Sequence, residues 1–302
     1  MNEKLEIVIN KKRANMSYLF NKLKIDRVDI SNLKTVCLFL GPYRNLTTLT
    51  ASILFLHPNV QVFNHGGVRI YDNKKVNFFN DYSDEKFDLF CKYLIYYSKS
   101  GRGGDYGGSI LYSHAFFNKK LINLYKSRYG YSRVKDKIDC IVWKESLRNA
   151  TYFRDNNIDL KSILIKNNKI RFILPVRNPM DCAMSNKRMD FSSRFDNLKD
   201  KTLKSYVNSI LLEFKWFLEK REEKPESFFY FFQDDYNEAF FKKLAGYLMI
   251  DADEKWIKDC LDFIQIKKSY KHEQDLVNYY TDLVDRYFKN YPDFADRLKK
   301  FT

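Results

Sequence analysis

Short continuous apolar runs alternate along this chain with longer stretches in which apolar residues recur every three or four positions. The runs fall at 35–40 (Thr35-Val36-Cys37-Leu38-Phe39-Leu40), 60–63, 138–143 (Ile138-Asp139-Cys140-Ile141-Val142-Trp143), 170–176 and 227–233. Runs of this kind suit strands of a parallel sheet buried on both faces. The periodic stretches at 46–56, 84–98, 114–128, 158–166, 180–189 and 200–221 suit helices. In the last of them Tyr206, Val207, Ile210, Phe214, Phe217 and Leu218 trace one face. From 236 to 302 the pattern is mostly helical, and 1–33 precedes the first run as an N-terminal extension. The alternation predicts an α/β fold in three layers, with a central parallel β-sheet, as a single domain over 1–302. In such sheets ligands bind at the carboxyl ends of strands, near a topological switch.

Composition narrows the classes. With 45% hydrophobic and 17% aromatic residues, the 302-residue chain is able to bury a large core, which excludes disorder. Its formal net charge of +15 favours an anionic partner, whether a ligand, a nucleic acid or an anionic surface. Zinc-finger spacing, an RNP-type aromatic signature and a basic-leucine pattern are missing, so no stable nucleic-acid partner is expected. No stretch approaches the roughly 18 apolar residues of a membrane span. The segment from Met1 to Lys24 is charged throughout and has no apolar h-region, so a cytoplasmic protein is expected. Five scattered cysteines without a CxxC fit reduced, buried thiols, and four histidines without ligand spacing predict no metal site.

Three segments carry candidate chemistry. The run ending at Leu40 leads into Gly41-Pro42-Tyr43-Arg44-Asn45-Leu46-Thr47-Thr48 and then a helix. Helix-opening N–H groups, two hydroxyls and Arg44 make a seat for a phosphate-type anion; the plainer reading is a Thr-capped helix. The run ending at Val176 leads into Arg177-Asn178-Pro179, with Ser185 about two turns into the helix that Pro179 opens. Arg177 and Ser185 are placed to converge on a second anion, or else are a surface Arg and a core-facing Ser. Lys144, after the run ending at Trp143, is costly at a central strand end unless it is paired or faces an anion. Neither GxxxxGK[ST] nor an acidic second strand end for Mg²⁺ is present, which counts against ATP or GTP hydrolysis. Half of all glycines fall in Gly101–Gly108, a surface loop or a lid.

In joint order and spacing these residues resemble the sulfotransferases that use 3′-phosphoadenosine-5′-phosphosulfate. The likeness is greatest to the branch with an Arg-Ser-Gly-Thr-Thr loop, which holds the tyrosylprotein and many carbohydrate and bacterial enzymes. Arg44-Asn45-Leu46-Thr47-Thr48 stands at the family's 5′-phosphosulfate loop, and His57-Pro58 at the end of the following helix. Val176-Arg177-Asn178-Pro179 with Ser185 stands at the 3′-phosphate element, and Lys144 at the intervening lysine. Tyr230 to Asp235 and Leu244 to Ile250 resemble the family's tail, so the likeness spans about 35–255.

The resemblance implies a P-loop-NTPase-like sulfotransferase fold, with that donor as cosubstrate and 3′,5′-adenosine bisphosphate as product. It implies a hydroxyl acceptor, with a carbohydrate or small molecule expected, and no metal. The Lys- and Asn-rich composition and the lack of a membrane anchor suggest a bacterial rather than a Golgi-resident enzyme. Leu46 replaces the family's loop glycine; a side chain there keeps clear of the anion only with negative φ. The family's glutamate base has no counterpart in Val62–Gly67, leaving His65 as the available base, with His114 and Glu145 as alternatives. The family's adenine-side loop is also missing, and Ile266 to Lys271 is the candidate replacement. Two other readings stay open. One is a P-loop phosphotransferase; the other is a catalytically degenerate basic protein that binds nucleic acid or anionic surfaces.

Overall fold

A computed structural model describes residues 3–100, 107–264 and 270–302, with side chains of the first helix described at residue 12 and from 16 onward. Its strands are β1 (Thr35–Phe39), β2 (Val60–Asn64), β3 (Gly108–Ser109), β4 (Cys140–Lys144), β5 (Ile170–Val176) and β6 (Phe228–Phe232). Its helices are α1 (Glu3–Asp26), α2 (Thr47–Phe55), α3 (Gly67–Tyr71), α4 (Asp84–Ser98), α5 (Lys119–Tyr129), α6 (Leu147–Asp155) and α7 (Leu160–Lys166). They continue with α8 (Pro179–Arg188), α9 (Leu203–Glu223), α10 (Glu238–Leu248), α11 (Glu254–Phe263), α12 (Gln274–Tyr287) and α13 (Pro292–Lys299).

The strands form one mixed sheet in the order β3-β2-β4-β1-β5-β6. Five run parallel, and β3 lies antiparallel on the edge against Phe63 and Asn64. Every residue of β1, β2 and β4 is buried. Alternate side chains therefore feed two cores. Val36, Leu38, Ile141, Trp143, Phe172 and Leu174 pack beneath α4, α6, α8, α9 and α12. Cys37, Phe39, Val60, Val62, Val142 and Ile173 pack beneath α2, α5, α10 and α11. This is the three-layer α/β arrangement that the pattern predicts, with an antiparallel edge added. All five cysteines are free and buried.

Four elements depart from the expected pattern. The stretch 114–128 is broken by Asn118, whose Oδ1 accepts from Lys120 N at 2.9 Å and caps α5, leaving a separate 3-10 turn at His114–Phe117. Helix α6 escapes the pattern because its inward side shows only Leu147, Ala150 and Phe153 among polar residues. The five-residue α3 is too short to show a period. The extension 1–33 contains α1, which docks Tyr18 and Ile25 into the core beside α4. There Ser17 Oγ lies 2.9 Å from Tyr97 Oη, and Tyr96 Oη donates to Asn21 Oδ1 at 2.8 Å. Residues 101–106 of the glycine-rich segment and 266–269 of the candidate adenine-side segment lie outside the described residues. No helix among the described residues is long and apolar enough to cross a membrane.

Sheet order places the chemistry. β1 is central, flanked by β4 and β5; the chain crosses from β1 to β2 on one side of it, and from β4 past it to β5 on the other. That makes the carboxyl ends of β1, β4 and β5 the topological switch, where a crevice opens.

Candidate active site

The turn from β1 to α2 is built on left-handed backbone, with φ +88° at Gly41, +63° at Arg44 and +60° at Leu46. Gly41 is needed there, because a Cβ would overlap the Leu174 side chain of β5. Leu46 occupies the N-cap of α2 and offers no capping side chain. The first N–H groups of α2 thus open toward the crevice, with Thr47, Thr48 and Leu49 on its wall. The Thr-capped reading does not hold. Nor does Leu46 take the negative φ; it keeps the glycine-like conformation, carries its strain, and lines the cavity, so its side chain borders the anion seat and narrows it.

Asn45 is fully buried and points away from the crevice. Its Nδ2 donates to the Pro175 carbonyl, and its Oδ1 accepts from Arg177 N at 2.9 Å. One side chain so fastens the first turn to the end of β5. Arg44 Nε donates to Ser185 Oγ at 2.9 Å, and Arg177 Nη1 reaches the Arg44 carbonyl at 3.5 Å. Ser185 lies behind Arg44 and off the cavity wall. Arg177 also pairs with Asp181 at 3.7 Å, and Asp181 accepts from Tyr270 N at 3.1 Å and lies 2.9 Å from His272 Nε2. The C-terminal segment therefore returns to the start of α8.

A third group comes from the ends of β2 and β4, paired at Asn64 and Lys144. His65 N donates to Lys144 O at 3.0 Å, and Trp143 Nε1 donates to His65 O at 2.8 Å. His65 also has left-handed backbone. Its Nε2 lies 3.5 Å from Lys144 Nζ and its Nδ1 3.9 Å from Glu145 Oε2. Glu145 is buried, accepts from Tyr43 Oη at 3.3 Å, and lies 3.8 Å from Arg148. His114 lines the same cavity as this group.

The β1–α2 turn and the ends of β2, β4 and β5 border one cavity of about 600 Å³. Arg44, Lys144, Arg148, Arg177 and Arg194 face it against the single carboxylate of Glu145. Burial lowers the Lys144 ammonium to about 8; Glu145 pulls it back up and Arg44 pushes it further down. Burial and Arg177 lower the Arg44 guanidinium, and burial with Arg44 and Lys144 lowers His114. Burial, then Glu145, raises the Tyr43 phenol. An excess of cations around one cavity, two of them partly dehydrated, suits an anion. No three metal-ligating side chains cluster among the described residues.

No protein-family model and no curated protein matches the chain. Several solved structures resemble it, among them three sulfotransferases. STF9 from Mycobacterium avium aligns with a TM-score of 0.49 and 10% identity over 95% of this chain and 85% of its own. Mouse SULT7A1, solved with PAP, gives 0.41 and 10% over 92% and 91%. The Alicyclobacillus acidocaldarius sulfotransferase gives 0.37 and 13% over 85% and 95%. The reading of the site rests on this chain's own residues.

Of the residues singled out in the sequence, Arg44, Leu46, Thr47, Thr48, His65, Lys144 and Arg177 line the cavity, as do His114 and Glu145, while Asn45 and Ser185 support it from behind. His57 ends α2 structurally. Its Nδ1 accepts from Asn59 N at 3.1 Å and its Nε2 lies 2.9 Å from the Asp251 carbonyl, which makes Nε2 the protonated nitrogen. The sequence reading missed Arg148 and Arg194. Arg148 was within reach, since it sits one helical turn past Glu145; Arg194, in a 3-10 turn, carries no such signal.

Leu46 provides a test of the turn. Leu46→Ile is expected to lower stability in urea denaturation by about 1–2 kcal/mol relative to Leu46→Asn, because branching at Cβ is poorly tolerated at positive φ and Asn tolerates it. Equal stabilities would mean that residue 46 is not held left-handed.

Proposed function

We propose that this chain is a sulfotransferase that moves a sulfuryl group from 3′-phosphoadenosine-5′-phosphosulfate to a hydroxyl acceptor, a carbohydrate or small molecule. The observation that carries the reading is the junction of the Arg44–Thr48 turn with Arg177 in one cation-lined cavity, through Asn45 and Ser185. Two anionic ends of one ligand fit that arrangement: the uncapped start of α2 with Arg44 is one seat, and Arg177 is the other.

The donor, when bound, supplies the sulfuryl group and a phosphate leaving group. Arg44, Thr47, Thr48 and the first N–H groups of α2 hold its phosphosulfate end. Arg177 holds the 3′-phosphate and thereby selects the donor. Lys144 presents its ammonium where charge develops during transfer, a preorganised cation that requires no rearrangement at that moment. His65 takes the proton of the acceptor hydroxyl. Glu145, beside Nδ1, orients the ring and stabilises the imidazolium, as a buried carboxylate does behind a catalytic histidine. The acceptor is assigned to the part of the cavity lined by Tyr112, Ser113, His114, Met189, Phe191 and Arg194. The five unpaired, buried cysteines suit a reducing, cytoplasmic setting.

Calorimetric titration with 3′,5′-adenosine bisphosphate, ADP and ATP–Mg²⁺ tests the donor seats. The bisphosphate is expected to bind at least about tenfold tighter than ADP, and Arg177→Ala to remove that margin, as loss of a charge-assisted contact would. No preference for the bisphosphate would end the sulfotransferase reading and favour a general polyanion-binding protein.

His65→Ala is expected to retain bisphosphate affinity and to lose sulfuryl transfer by about a hundredfold or more, the usual worth of a positioned base. Full turnover in that variant would remove His65 from the role.

Lys144 supplies a pH signature. Its ammonium predominates below about 8 and is lost above it, and a bound anion favours the charged form. Bisphosphate affinity is therefore expected to fall as pH rises through 8, with a flatter profile in Lys144→Met. Identical profiles in both proteins would place Lys144 outside the anion site.

A further inference from the structure

Twelve large apolar side chains are exposed among the described residues, and four of them stand on one helix. Met16, Leu19, Phe20 and Leu23 of α1 are 55%, 61%, 81% and 73% exposed. Their spacing of i, i+3, i+4 and i+7 makes a single stripe. It faces away from Tyr18 and Ile25, the α1 side chains in the core. The helix is thus apolar on two sides, and only one is covered.

Cations surround the uncovered side. Exposed Lys12 precedes Met16 by one helical turn, Lys24 follows Phe20 by one, and Arg27 lies just past the helix end. Lys22 stands beside Leu19 and is held by Asp26 at 2.8 Å. On that flank a groove between α1 and the region 74–92 is lined by Lys22, Lys74, Lys75, Lys86 and Lys92 against three carboxylates.

We infer that the outer face of α1 docks this protein on an anionic lipid surface. A short apolar stripe that reaches the headgroup boundary, edged by lysines that meet anionic headgroups, is the chemistry of an interfacial helix. A second copy fits less well. Stable protein interfaces use roughly 20–30 residues a side, and a two-fold axis through this stripe would bring the flanking cations Lys12, Lys24 and Arg27 of one copy toward those of the other. The inference does not depend on the reaction carried out in the cavity.

The test is co-sedimentation of the full chain with vesicles of phosphatidylcholine containing phosphatidylglycerol, and with phosphatidylcholine alone. Binding is expected on the anionic vesicles and is expected to weaken as salt is raised. The doubly substituted F20S/L23S variant is expected to lose at least about tenfold in partitioning, since two large apolar side chains no longer bury. Both positions are exposed, so an unchanged melting temperature confirms folding. Bisphosphate affinity, read on the same variant, is expected to be unchanged. Three results would overturn the inference. They are no binding to anionic vesicles, equal binding by the variant, and a concentration-dependent dimer in sedimentation velocity that F20S/L23S abolishes.

Discussion

The buried amide of Asn45 holds this site together. It reaches from the first crossover turn to the Pro175 carbonyl and the Arg177 N–H, groups that are otherwise left without a ladder partner where β5 ends. An amide is suited to this because it donates and accepts at once, and both partners are backbone groups whose positions are set by the sheet. With the turn so anchored, Arg44 is brought against Ser185, and two segments some 130 residues apart become two walls of one cavity. An apolar residue at 45 would leave the two backbone groups buried and unpaired.

The remaining order in the site follows from charge. Five cations facing one carboxylate repel one another, and three of them are steadied by a polar partner. Arg44 leans on Ser185, Arg177 on Asp181, and Arg148 on Glu145. Glu145 is the pivot: it meets Tyr43, approaches His65 and Arg148, and partly offsets the dehydration of Lys144. Three left-handed residues, Arg44, Leu46 and His65, line the same cavity. Backbone strain of this kind persists where surrounding structure over-determines it, and it is a frequent companion of binding sites.

Much of the architecture was legible because its signals are local. Continuous apolar runs reveal strands buried on both faces, and all five long strands lie within two residues of the expected bounds. Lys144 and Arg177 stood out because each follows such a run directly, and Arg44 because only Gly41-Pro42-Tyr43 separates it from one; a polar group at a strand's carboxyl end in an α/β sheet faces the crevice. What stayed hidden depends on tertiary context. The edge strand β3 is two residues long and exists only through pairing with β2. Helix α6 is secured by three inward residues that show no clear period. Asn45 reads in sequence as a loop residue near an anion, and only the approach of β5 turns it inward. Arg194 reaches the cavity through the path of the chain after α8, which no spacing rule encodes.

Trp143 occupies the base of the candidate site, deep in the core against the rings of Tyr71, Phe79 and Phe90. Its indole N–H is bonded to the carbonyl of His65, the residue that carries the imidazole beside Lys144. Its ring is shielded from solvent and has one polar tie. Any displacement of the His65 backbone alters that tie, and with it the electrostatic environment that sets indole emission. The chain thus contains a built-in optical reporter one hydrogen bond away from its candidate base.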